Sequence, residues 1–134
     1  MNKRIAAFLT VFGLAALPSV MDAASSPATV TMQAMSASGQ SGMAKISRTG
    51  GRHINVTIDL NGEPPGASEP VMIHAGSCAD LKTGSQTVLN PVVEGRSVTT
   101  FTAPAYNPGT HAIVVHKSAK DMNSIVSCGD VDIL

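Results

Sequence analysis

Apolar and polar residues alternate with a period of two in several short stretches of the chain, and this predicts strands. The clearest stretch places Ile54, Val56, Ile58 and Leu60 on one face and His53, Asn55, Thr57 and Asp59 on the other. With Met43 to Arg48 it flanks Gly50-Gly51, a pair that tolerates positive φ at both central positions of a tight hairpin. Ala28 to Ser38 alternates more loosely and suits a first strand, closed by Gly39 to Gly42. In Val71 to Cys78, Val71 and Ile73 take one face while Met72 and His74 stand side by side on the other. In Thr110 to Lys117, Ile113 and Val115 share one face, and Ala112, Val114 and His116 the opposite one.

Between these strands, Asn61 to Pro70 is dense in proline and glycine and reads as a loop. Ala79 to Arg96 has weak strand character, chiefly at Thr87 to Leu89, and reads as a long irregular connection. Ser97 to Ala103 returns to strand, Ala105 to Gly109 to turn, and strands bearing His116 and Cys128 close the chain. No apolar pattern of helical period lasts three turns. Seven or eight short strands separated by turn signals predict an all-β, antiparallel Greek-key sandwich or barrel.

The N-terminus breaks this pattern. Lys3 and Arg4 precede an apolar run from Ile5 to Leu17 that Pro18 ends, so residues 1–23 read as a secretory signal and 24–134 as one domain. The run is shorter than the ~20 residues of a membrane-spanning helix, so no membrane insertion is expected after cleavage. A periplasmic or secreted location follows. Loss of Lys3, Arg4 and Asp22 leaves seven basic residues against eight acidic ones. Without a basic stripe or interleaved aromatics, nucleic acid is not an expected partner.

Only Phe101 and Tyr106 supply aromatic bulk beyond the signal, so a small core gains from a covalent staple. Two cysteines allow one intramolecular pair, Cys78 with Cys128, which export would oxidise. The thiols could instead bind metal or pair between molecules.

Candidate chemistry centres on Met72, His74 and His116, which could hold a single metal if their strands adjoin. A thioether favours copper(I) and imidazole accepts either copper oxidation state, so the set points to copper over zinc. The plainer alternative packs Met72 in the core and leaves two unrelated histidines. His53, outward on its strand, is a further candidate ligand, and His111 has the opposite parity to His116. Met32, Met35 and Met43 could form a second soft site, although their spacing is irregular and methionine commonly fills gaps in such cores. No Gly-x-Ser-x-Gly elbow, carboxylate pair or phosphate-cradling glycine loop is present.

The His74 to Cys78 strand, the Val114-Val115-His116-Lys117 strand and the terminal Cys128-Gly129-Asp130 together resemble the copper/zinc superoxide dismutases. They look more like the small secreted proteins described as superoxide-dismutase-like or CHRD-like sandwiches. The resemblance covers Ala28 to Leu134, and its specific part is these three motifs. It implies the same disulfide and a copper site at Met72, His74 and His116, with Met72 where the family has a histidine. The family's zinc ligands come from the loop after the first cysteine, yet Ala79 to Arg96 has no histidine, so no zinc is expected. Ile125 stands where the family has its anion-guiding arginine. The expected function is therefore copper storage, delivery or detoxification, with another envelope copper protein as a partner. A metal-free interaction sandwich and a zinc-free dismutase are the alternatives.

Overall fold

The computed structural model describes residues 13–18, 26–84, 86–103 and 109–132, and in it the alternating stretches close into a barrel with their apolar faces inside. Nine strands are present among these residues: β1 (Ala28–Ala34), β2 (Ser41–Gly50), β3 (His53–Asn61), β4 (Ser68–Ser77), β5 (Asp80–Leu81), β6 (Thr87–Val93), β7 (Arg96–Thr102), β8 (His111–Ser118) and β9 (Asp121–Val131). Eight of them form a circuit in the order β4-β6-β7-β3-β2-β1-β9-β8, which a β8 to β4 ladder closes. The short β5 pairs with the end of β4 beyond the reach of β6. Every pairing is antiparallel. The chain runs β4-β6-β7 through neighbours and then returns with β8 beside β4, which makes a Greek key. Of residues 1–23, which the sequence reads as a signal, only 13–18 are described, and they are exposed and irregular. Of the turn expected at Ala105 to Gly109, only Gly109 lies within the described residues.

Alternation explains the interior directly. Ile54, Val56, Ile58 and Leu60 of β3, Val71 and Ile73 of β4, and Ile113 and Val115 of β8 are all buried in one cluster. Met32 belongs to it as well and is fully buried. Burying each such side chain contributes roughly 1.5–3 kcal/mol.

Three expectations are corrected. Ala79 to Arg96 is not an irregular connection but holds β5, β6 and the start of β7. The period of two breaks in β6 because Glu69 pairs with Val92 and Val71 with Leu89, so Pro70 faces both Asn90 and Pro91 across a bulge. Leu89 and Val92, three residues apart, consequently both point inward. The same bulge lets β4 begin at Ser68, inside the segment read as loop. In the β2-β3 hairpin, Gly50 pairs with His53, so the two-residue loop is Gly51-Arg52, one position later than the glycine pair predicts.

The β6-β7 hairpin turns at Glu94-Gly95, both with positive φ, and its strands share a single ladder pair, Val93 with Arg96. Side chains continue the seam. Asn90 N–H donates to Thr99 Oγ1 at 2.8 Å, Asn90 Nδ2 to the Val98 carbonyl at 2.7 Å, and Ser97 Oγ to the Asn90 carbonyl at 2.7 Å.

Outside the barrel a second, smaller apolar cluster covers β8 and β9. Ala112, Val114 and Cys128 form it, with Met35, Cys78, Leu81 and Ile125 packed against them. A disulfide between Cys78 and Cys128, Cα atoms 5.9 Å apart, pins the β4-β5 turn onto this face. Asp130 accepts the Cys78 N–H at 2.7 Å.

Candidate metal centre

The ladder between β4 and β8 decides which side chains meet. Met72 pairs with Val114 and His74 with Ala112, while Val71 and Ile73 pair with Val115 and Ile113. Paired residues share a face, so Met72, His74, Val114 and His116 all lie on the outer surface, backed by the apolar core. That surface is nevertheless closed. His74 is 8% and His116 5% exposed, and Met72 is half-buried.

The two imidazoles stand with ring centroids 5.7 Å apart and planes inclined at 52°. A bulge in the β8-β9 ladder shifts the register on both sides of His116, placing Ile125 opposite it. Bulges of this kind re-aim a side chain. The Nδ1–H of His116 donates to the Met122 carbonyl at 2.7 Å, which fixes the tautomer and leaves the lone pair on Nε2. Nε2 of His116 and Nε2 of His74 are both buried without a hydrogen-bond partner. An unmet buried polar atom costs about 1–3 kcal/mol. Burial, and then the neighbouring His116 ring, hold His74 below the ordinary imidazole value, so its neutral, lone-pair-bearing form is favoured.

The structure thus brings His74 and His116 together and puts Met72 on the same face. It does not bring His53 to them. His53 is exposed on β3, whose neighbours are β2 and β7, and its Nδ1 lies 3.2 Å from Thr102 Oγ1. His111 faces the interior, paired with Ala75 and Val131. Met32, Met35 and Met43 are dispersed among the core, the outer cluster and the solvent. Among the described residues no group of three His, Cys, Asp or Glu side chains gathers, so a metal at the histidine pair would draw its third ligand from Met72 or from another molecule.

Two features had no sequence signal. Met122, the second residue of β9, orients His116 through its backbone carbonyl, which leaves no trace in residue type. Glu69 and Gln40 are both buried, with Gln40 Nε2 donating to Glu69 Oε1 at 2.6 Å.

Fold and site define a class: an all-β Greek-key barrel with one disulfide and a closed histidine pair on its outer face. No family model matches the chain, and neither does any curated protein or solved structure.

Proposed function

We propose that this protein holds one copper ion between His74 Nε2 and His116 Nε2, with the Met72 thioether as third donor. The observation that carries the reading is the pair of buried, unpartnered imidazole nitrogens on adjacent strands, one already oriented by the Met122 carbonyl. Two imidazoles and a thioether form a soft, neutral set that favours copper(I) over zinc. A closed apolar surround suits retention of an ion for storage, delivery or detoxification more than rapid turnover. Ile125, opposite His116, offers no positive charge to draw an anionic substrate. The disulfide is compatible with an oxidising compartment outside the cytoplasm.

Titrating disulfide-intact protein with copper(I) against a chromophoric chelator tests this. One equivalent should bind tightly, and His74→Ala or His116→Ala should each abolish that binding. Binding no stronger than that of a histidine-bearing peptide would overturn the proposal and leave a metal-free sandwich.

A further inference from the structure

At one end of the barrel, a cavity of about 450 Å³ opens between the β1-β2 loop, the β3-β4 loop, the end of β8 and the first half of β9. Barrel mouths are common places for small-molecule sites. Its buried end is polar. Glu69, 1% exposed, and Gln40, 3% exposed, both line it and are joined by their one hydrogen bond. That bond uses the Gln40 amide nitrogen, and it leaves Glu69 Oε2 and Gln40 Oε1 buried without partners.

Both orphans are oxygen acceptors, so what they lack is a donor. A primary ammonium offers three N–H donors at one centre and carries the charge that a buried carboxylate needs. Burial raises the Glu69 carboxyl above its ordinary value, the Gln40 bond opposes the rise, and nearby Glu63 adds to it. A bound cation would relieve both the burial and the Glu63 repulsion.

The walls and mouth restrict the rest of the ligand. Pro64, Ala67 and Ile125 make the sides apolar, and exposed Lys117 stands at the open end. Acid at the bottom and base at the mouth match a molecule with an amine at one end and a carboxylate at the other. We propose that this cavity binds a small free amino acid, its ammonium on Glu69 and Gln40 and its carboxylate toward Lys117. The site borders the histidine pair, since Ile125 lines it and stands opposite His116, but its polar end at Glu69 and Gln40 uses neither histidine, so the proposal does not depend on the metal reading.

The test is a titration of the whole, disulfide-intact protein with L-alanine and with 4-aminobutyrate, followed by amide chemical shifts, with methylammonium and acetate as single-ended probes. Amides of Gln40, Ala67 and Val126 should move with an amino acid and with methylammonium, but not with acetate. Glu69→Gln keeps the side-chain shape and should weaken all three ammonium-bearing probes, L-alanine, 4-aminobutyrate and methylammonium, by about tenfold or more. Lys117→Ala, an exposed change that leaves the core intact, should weaken the amino acids several-fold and leave methylammonium unchanged. Absence of movement at these amides, or movement that Glu69→Gln does not reduce, would overturn the assignment and mean that the cavity holds only water.

Discussion

His74 and His116 are four ladder positions apart, since His74 stands opposite Ala112, and yet their ring centroids approach to 5.7 Å. The two side chains therefore lean toward one another across the Met72 and Val114 pair that separates them. Pairing of β4 with β8 supplies the adjacency, and the bulge at His116 supplies part of the tilt.

Met72 lies between the rings in register, so its sulfur should tune the choice of oxidation state. Met72→Leu keeps most of the volume and removes the soft donor. It is expected to lower copper(I) affinity by about tenfold while changing copper(II) affinity little. Parallel chelator competitions in the two oxidation states check this, and an equal loss in both would assign Met72 a packing role alone.

The disulfide spans a sequence separation of 50 residues and ties an outer turn to a buried strand. Closing a loop of that length contributes about 4 kcal/mol in the chain-entropy model. Reduction, or the double change Cys78→Ser with Cys128→Ser, should lower the melting temperature by roughly 15–30 °C for a domain of this size. Thermal unfolding followed by circular dichroism, with and without reductant, measures it.

Glu69 gives stability a defined slope with pH. Its carboxyl titrates above the ordinary carboxylate value of about 4.3 when folded, so between those two points the folded state keeps a proton that the unfolded chain has released. Stability from this group is present below the unfolded value and is lost as pH rises through the folded one. Glu63 and Gln40 act on the carboxyl directly, and Lys117 lines the same cavity. Glu69→Gln should therefore melt higher than the parent at neutral pH and equally at pH below about 4. A variant that melts lower at neutral pH would show the carboxylate to be stabilised in the fold.

Gly129 sits where β9 passes against β1. A Cβ there would meet Val30 Cγ1 at 2.7 Å, Met32 Sδ at 2.8 Å and the Thr31 carbonyl at 2.8 Å. Gly129→Ala should cost about 1–3 kcal/mol by overpacking, and more than Gly66→Ala in an open loop if space outweighs backbone strain. Denaturant unfolding of the two variants compares them.

Strand faces were legible wherever two-residue alternation ran unbroken, as in His53 to Leu60, and that parity alone put Met72, His74 and His116 on outward faces. It could not reveal β6. Pro91 and the bulge opposite Pro70 reset the alternation there, and a sequence window reads the reset as the absence of a strand. The Glu69 to Gln40 contact joins positions 29 residues apart across two loops, and no local pattern marks it. The closure of β8 on β4, which turns two isolated histidines into a pair, is likewise a property of the whole circuit. Cys78 and Cys128 were legible for a simpler reason: only one partner existed for each.

The β6-β7 seam, held by one ladder pair and three side-chain bonds, determines how the barrel can come apart and how it can be joined. Among the described residues a closed circuit offers no edge for a strand of another molecule, and β5, two residues long, is too short to serve as one. Polymerisation by strand exchange would have to part a seam first, and the thinnest ladders are β6-β7 with one pair and β1-β9 with two. At β6-β7, where Asn90 takes part in all three side-chain bonds, deuterium should enter early, and a change at Asn90 should open the seam further.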